Sequence, residues 1–506
     1  MKIAIGYPPL ESKKGIPLLG QNRQFQWFNS PTYIYPVVPA YAATMLKNAG
    51  YQVFWLDGIA GGWSYKKWLE EVKRAKPDLL VMETKTPVVK KHWKIISKLK
   101  SQNSKLKIVL VGDHVTALPE ESFQNSPVDF ILAGGDYDFL LLNLANHLTK
   151  GEKLEPGIWR RDNSKSKIQN PKSQFKIKNY LNTGEFQLNH DLNKLPFVDR
   201  ELTHWWLYAY ENGNYKRTPG VYIMAGRDCW WRKNGGCKFC AWTVLYPSWR
   251  ARKPKNVLDE IGQLIEKYKI KEIMDDTGTF PVGKWLEEFC RGMIKRGYNK
   301  KIYFDCNLRF GILKKKDYEL IAKAGFRFLL YGLESANQKT LDRLNKGARV
   351  DLIEKELRQA KEASKKVGGR LEPHVTCMVG YPWESKKEAC QTINFTRRLF
   401  EKGLIDSLQA TIVIPYPGTA LFAECEKNGW LLTKDWDDYD MRRPVMKTEM
   451  SDEEILELTQ GIYKSFLTPR FLLRKITSVR SIDDLKFFWR AGKKLLGHLS
   501  DFGKNY

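Results

Sequence analysis

The stretch Val221-Tyr222-Ile223-Met224-Ala225-Gly226-Arg227-Asp228-Cys229-Trp230-Trp231-Arg232-Lys233-Asn234-Gly235-Gly236-Cys237-Lys238-Phe239-Cys240 decides how the rest of the chain is read. Val221–Ala225 is a short apolar run of strand character, and three cysteines follow it in a C-x7-C-x2-C spacing. The chain of 506 residues holds only eight cysteines, and none precedes Cys229. A strand that runs into a thiol-bearing loop predicts chemistry at the carboxyl edge of a parallel sheet. Further strand candidates follow at Glu272–Met274, Ile302–Phe304, Phe328–Tyr331, Val375–Val379 and Ala410–Ile414. Helical patterns such as Val257–Lys267, Lys284–Arg296, Lys316–Ala324 and Lys386–Phe400 alternate with them. Six such units predict a barrel-like sheet, complete or partial.

Outward toward the N-terminus, Ile3–Tyr7, Val53–Leu56, Leu79–Met82, Ile108–Val111 and Phe130–Leu132 are short β-rich runs bounded by Gly, Asp or Pro, as strands buried on both faces are. Amphipathic stretches lie between them: Ala40–Asn48, Tyr65–Lys76 behind the N-cap candidate Ser64, Val89–Lys100 and Tyr137–Leu148. The pattern predicts a doubly wound parallel sheet, with a ligand crevice at the strand ends Tyr7-Pro8-Pro9, Glu83-Thr84, Gly112-Asp113-His114 and Gly134-Gly135-Asp136. No GxGxxG or GxxxxGK[ST] is present, which excludes an ordinary dinucleotide or NTP fold. Asn163–Gly184 is rich in Lys, Asn, Ser and Gln and reads as an exposed hairpin or linker. Residues 430–506 read as helical, with Ser451/Glu454 and Ser481/Asp484 as capping-box pairs.

Composition narrows the setting. The cysteines are too sparse for a disulfide framework, which predicts a reducing cytoplasm and makes a tight cysteine cluster a metal or redox site. The first nine residues hold too short an apolar run for a signal peptide, and no run approaches 18 apolar residues. Lysine and arginine total 84 against 57 acidic residues, a net +27 that raises polyanions as partners. The cations are spread along the chain without a basic arm, as on a solvated surface. In the tail, Leu485, Phe487, Phe488, Trp489, Leu495 and Leu496 interleave with Lys486, Arg490, Lys493 and Lys494. This helix is expected to pack on the barrel, with peripheral contact to an anionic membrane as the alternative.

Three readings of the cysteines stand side by side. Zinc would want a fourth Cys or His from a distance. A CxxC redox pair would leave Cys229 idle. An iron–sulfur cluster held by Cys229, Cys237 and Cys240 would leave one iron open, and this reading leads.

At this point the sequence resembles the radical S-adenosylmethionine (radical SAM) enzymes, in the branch with an N-terminal cobalamin-binding domain. The resemblance is carried by the cysteines with Phe239 before the last; by Asp191–Phe197 and Ala225-Gly226-Arg227-Asp228-Cys229; and by Arg309, Gly332-Leu333-Glu334-Ser335 and Leu344-Asn345-Lys346-Gly347. Gly380-Tyr381-Pro382-Trp383-Glu384 and Pro415-Tyr416-Pro417-Gly418-Thr419 complete it. It implies an α/β chain: a Rossmann-like cobalamin-binding domain (1–150), a linker and hairpin (151–215), a partial β/α radical SAM barrel (216–430) and a helical C-terminal region (431–506). It implies a [4Fe-4S] cluster on the three cysteines and S-adenosylmethionine (SAM) on its open iron. Phe239, Asp275, Asp276, Asn307, Arg309, Glu334 and Ser335 are the expected SAM contacts; a helix cap or turn is the alternative for Asp275 and Asp276. Thr84, Gly112, His114, Gly134 and Gly135 are the expected cobalamin contacts, the small residues letting backbone approach a planar ligand. No histidine stands two residues after an aspartate, so no cobalt ligand is assigned and His114 is expected to be a loop hydrogen-bonder. The family spacing is C-x3-C-x2-C, and the extra Trp230–Lys233 imply a longer loop here.

The function expected from this resemblance is cobalamin-dependent methyl transfer to an unactivated carbon. A cyclase or oxidative carbon-skeleton enzyme is the alternative. An RNA-modifying methylthiotransferase ranks lower, because that family's three further N-terminal cysteines are missing. The partners expected are a small-molecule or lipid-like substrate and a one-electron reductant such as flavodoxin or ferredoxin, not nucleic acid.

Overall fold

The computed structural model describes residues 1–20, 23–162, 180–463 and 468–502. Two open sheets organise it. The main strands of the first are β1 (Lys2–Tyr7), β2 (Gln52–Asp57), β3 (Leu79–Glu83), β4 (Lys107–Val111), β5 (Phe130–Leu132), β6 (Ile158–Arg161) and β7 (Tyr180–Asn182). Their order is β2-β1-β3-β4-β5-β6-β7, parallel through β5 and antiparallel for the last two. Successive residues of a strand point to opposite faces, and both faces are dry. Ala4, Leu80, Met82, Ile108 and Leu110 join one core with Trp68 and Ile96, while Ile3, Ile5, Leu79, Val81, Val109 and Val111 join another with Val38, Ala43 and Leu140. Ser64 caps its helix as expected, accepting from the Lys67 N–H at 3.2 Å. Residues 163–179 of the expected exposed hairpin lie outside the described residues.

The second sheet comprises β8 (Gly220–Ile223), β9 (Glu272–Asp275), β10 (Tyr303–Leu308), β11 (Phe326–Glu334), β12 (Glu372–Val379) and β13 (Ser407–Ile412), paired in sequence order and all parallel. Its first and last strands do not pair, so the barrel is partial. The amino ends of its strands are plugged by ions: the fully buried Arg327 donates to Glu272 at 2.6 Å, Glu372 at 2.8 Å and Asp305 at 3.1 Å, and Lys216 reaches Glu372 at 2.5 Å. The opposite end stays open.

The C-terminal helices are Asp452–Gly461, Pro469–Thr477 and Ile482–Phe502. Residues 430–451 are mostly irregular rather than helical, with a single 3-10 turn at Trp436–Asp438 and Leu431 bridging Met446. The Ser451/Glu454 capping box forms. The Ser481/Asp484 pair forms by half: Ser481 accepts from the Asp484 N–H, but the Asp484 carboxylate turns back to the Arg480 N–H and to Arg370. Among the described residues no helix is long and apolar enough to cross a membrane.

Candidate active site

Beyond β8, Gly226–Arg227 pairs antiparallel with Arg250–Ala251, and the chain then turns sharply. Asp228 adopts φ +71°, unusual for a side chain with a Cβ, and its carboxylate accepts from Arg232 at 2.6 and 2.8 Å. The extra residues of the loop form a 3-10 turn, Trp230–Asn234, closed by the left-handed Gly235 and Gly236. That turn is sewn to the segment after β11. Trp231 donates to the Asn345 carbonyl at 2.6 Å, Asn345 donates to the carbonyls of Asn234 and Gly236, and Lys238 donates to Leu344. The insertion thereby places an indole under the Arg309 guanidinium, 4.7 Å away.

All three thiols line one cavity of about 520 Å³, together with Phe239, Asn307, Arg309 and Glu334. Cys229 Sγ lies 3.0 Å from Thr279 Oγ1, and Arg309 Nη1 donates to Cys237 Sγ at 3.3 Å. Burial, reinforced by Cys237 and Asp228, pushes the Cys240 thiol up to about 12. A lone thiolate is therefore unfavourable there, and the set becomes stable as thiolates only around a cationic centre. The donors fit a polynuclear cluster, one thiolate to an iron, with one iron left for another ligand.

Glu334, the last residue of β11, sits at φ +63° where the register with β12 shifts. Strained backbone of this kind persists where the surroundings over-determine it, often at functional sites. Its carboxylate accepts from Lys346 Nζ at 2.7 Å, and a Cβ on Gly332 would fall 2.1 Å from that carboxylate, so only glycine leaves room for the pair.

Other expected contacts are placed elsewhere. Asp275 accepts from the backbone of Ala225 and Thr277 and braces the strand ends, and burial pushes its carboxyl up to about 7. Asp276 is buried outside the cavity lining. Ser335 meets Thr392 Oγ1 and caps the Asn337 N–H. In the first domain, Thr84 Oγ1 is 2.7 Å from His92 Nδ1. His114 is buried between Thr86 Oγ1 at 3.2 Å and Glu121 Oε2 at 3.1 Å, a hydrogen-bonder as expected but on the short helix Asp113–Ala117 rather than in a loop. The glycines are filled by protein: a Cβ would meet the Thr84 carbonyl at Gly112, Phe186 at Gly134 and Tyr246 at Gly135.

The Gly134–Asp138 turn docks on the cysteine-bearing loop. Arg227, fully buried, donates to Asp136 at 2.7 Å and to Asp138 at 2.9 Å, and Arg250 and His190 join Asp136 at 2.7 and 2.9 Å. Against the cost of burial, His190, through Asp136 and Glu155, is raised to about 9. Asp113 brings the first sheet to the cavity itself. Lys346, Trp231, Thr279 and Asp113 were not singled out from sequence. Lys346 stands inside a stretch quoted for the resemblance and Trp231 among the extra residues of the cysteine loop, but nothing local says where they reach.

Residues 226–396 match the family model described as the radical SAM superfamily. An "Uncharacterized methyltransferase" of Pyrococcus horikoshii is 26% identical over 485 residues, which cover 94% of this chain and 95% of the relative. An anaerobic magnesium-protoporphyrin IX monomethyl ester cyclase of Cereibacter sphaeroides is 25% identical over 450 residues, 86% of this chain and 68% of the relative. The family match makes residues 226–396 a radical SAM domain. The whole-length fold of the chain is shared with the radical SAM methyltransferase TsrM of Kitasatospora setae, solved with cobalamin and a [4Fe-4S] cluster, at a TM-score of 0.65, 13% identity and 99% coverage of each chain.

Proposed function

We propose that this enzyme is a cobalamin-dependent radical SAM methyltransferase acting on a small molecule. The observation that carries the proposal is the shared cavity: three thiols and the Glu334–Lys346 pair from the second sheet, with Asp113 from the first, all face the same space. Cys229, Cys237 and Cys240 would hold a [4Fe-4S] cluster; bound there, the cluster and cobalamin would supply reductive cleavage of SAM and a transferable methyl group. The TsrM fold and the Pyrococcus horikoshii relative support the cobalamin and methyl-transfer parts.

The chain's own groups have definite tasks. The Arg309 cation beside Cys237 offsets thiolate charge, and Trp231 holds that guanidinium from the other side. Glu334 offers a carboxylate already paired with an ammonium, the geometry in which it can accept the ammonium of a methionyl group in place of Lys346. Leu330, Met378 and Ile412 make the cavity walls apolar, while Gln409 and Thr411 offer uncharged hydrogen-bonding groups. Such a lining excludes water around a reactive intermediate and suits an uncharged substrate. A flavodoxin- or ferredoxin-type reductant and a cytoplasmic setting belong to the same reading. The Cereibacter sphaeroides relative favours a cyclase as the second reading.

Anaerobically reconstituted protein with SAM and reductant separates the two. Methyl transfer uses SAM twice, so S-adenosylhomocysteine and 5′-deoxyadenosine are expected in near-equal amounts per turnover. Turnover with 5′-deoxyadenosine alone would favour the cyclase.

A further inference from the structure

The last two helices, Pro469–Thr477 and Ile482–Phe502, meet the barrel with one side only. On that side the buried Asp484 pairs with Arg370 at 3.1 Å and Lys216 at 3.5 Å. Phe487 and Phe488 lie 5.6 and 5.9 Å from the Lys216 ammonium, and Arg490 donates to the Tyr215 carbonyl at 2.9 Å. The packing expected from sequence is therefore present, but it leaves a second apolar side uncovered. Ile482 is 72% exposed, Leu485 56% and Trp489 69%, a stripe at i, i+3 and i+7, with the exposed Lys486 and Lys493 beside it. Leu473 and Ile476 are also exposed, on the preceding helix. Twelve large apolar side chains are strongly exposed among the described residues, and five lie within 473–489. Single exposures need no explanation, whereas a contiguous stripe marks a contact surface.

A second feature adjoins it. Where these helices meet the amino ends of β12 and β13, a cavity of about 260 Å³ is lined by Lys361, Lys365, Arg370, Arg474, Lys475 and Arg480. Among the described residues of its lining two carboxylates, Glu372 and Asp406, face those six cations, and Asp484 pairs with Arg370 from outside it, three acids against six cations. Burial and the neighbouring Arg474 and Lys361 push Lys475 down, while Asp406 and Glu372 oppose them. Concentrated positive charge that the cavity's own acids do not balance attracts an anion, and arginine and lysine together suit a phosphate. A second copy of this chain would bring the same cations against these, and a nucleic acid backbone has no apolar layer to receive the Ile482 and Leu485 side chains.

We propose that this face docks the enzyme on an anionic phospholipid surface, the Ile482, Leu485 and Trp489 stripe entering the acyl boundary while a lipid phosphate occupies the cationic cavity. The docking face lies at the amino ends of the barrel strands, opposite the thiol-lined cavity, so it leaves that cavity uncovered and stands whichever reaction occurs there.

The test is co-sedimentation of the full chain with vesicles of phosphatidylcholine alone or with about 30% phosphatidylglycerol. Partition onto the anionic vesicles is expected to be at least about tenfold stronger. The charge-neutral pair Ile482→Ser/Trp489→Ser and the charge-reversing pair Arg480→Glu/Lys486→Glu are each expected to weaken it about tenfold or more. Lys66→Glu/Lys73→Glu makes the same charge change on exposed positions of the helix Tyr65–Ala75 and is expected to leave binding within about twofold. All six side chains are exposed, and an unchanged thermal midpoint verifies that each variant is folded. Equal weakening by the Lys66/Lys73 pair would reduce the effect to diffuse attraction and overturn the proposal. Full binding by the Ile482/Trp489 pair would overturn it too. So would failure to bind anionic vesicles, most plainly if the wild-type chain forms a dimer that Trp489→Ser dissolves.

Discussion

The carboxyl ends of the two sheets face the same interface but are built in opposite ways. In the first sheet, the space left by glycine is taken by protein at Gly112, Gly134 and Gly135, and the acids Asp136 and Asp138 are paired with Arg227. In the second, the space left at Gly332 is taken by a charged pair that borders an open cavity lined by the three thiols. The same device, a glycine at a strand end, thus serves docking in one sheet and a site in the other. The lesson is that small residues at strand ends mark close approach, not what approaches.

If the contrast is right, substitutions among the thiols cost chemistry and substitutions in the Arg227–Asp138 seam cost stability. The largest effect is expected from Cys237→Ala: bound iron lost on reconstitution and 5′-deoxyadenosine formation down by about 10³-fold or more, measured by iron analysis and chromatography. The thermal midpoint of the iron-free protein is expected to change little, because Arg309, which donates to that thiol, keeps its hydrogen bond to the Lys346 carbonyl. Arg227→Met comes next. It leaves Asp138 a buried carboxylate without its cation and is expected to cost about 3–5 kcal/mol in denaturant unfolding. A loss below about 1 kcal/mol would mean the two domains hold together by other contacts.

Glu334→Gln is expected to weaken SAM binding by about tenfold, roughly 1.4 kcal/mol, with little change in stability. The smallest effect concerns pH. His190 is raised to about 9 by Asp136 and Glu155, against its burial. A raised histidine contributes stability fully below its unfolded pKa near 6.5 and loses it as pH climbs through the folded value. The thermal midpoint is expected to fall by about 2–4 °C between pH 7 and about pH 9.5, and His190→Gln to flatten that slope.

Much of this was legible in the residues themselves. Runs such as Leu79–Met82 and Ile108–Val111 are apolar at every position, which only a strand covered on both faces explains, and both fall inside observed strands. The cysteine spacing and the Gly332–Ser335 stretch named the second sheet's working end. What stayed hidden depends on distant partners. Trp231 looked like an interruption of the cysteine loop, yet it anchors that loop to Asn345, 114 residues further on. Asp275 and Glu334 both end strands, but only contacts from other segments turn Asp275 into a backbone brace and leave Glu334 at the cavity. Likewise the tail's helical pattern was plain, but periodicity shows that a helix has broad apolar sides without showing which of them its neighbours leave bare.

Arg227 stands two residues before Cys229, and its guanidinium is gripped by the turn at Asp136–Asp138 of the other domain. The loop that carries the first thiol is therefore tethered like a short lever whose handle belongs to the neighbouring sheet. With so few freely turning bonds between handle and thiol, an ångström of slippage between the domains reaches the sulfur almost undiminished. Whatever fixes the seating of one domain on the other thus also fixes the aim of the reactive group, and a loosened seam would blunt the enzyme before it unfolded it.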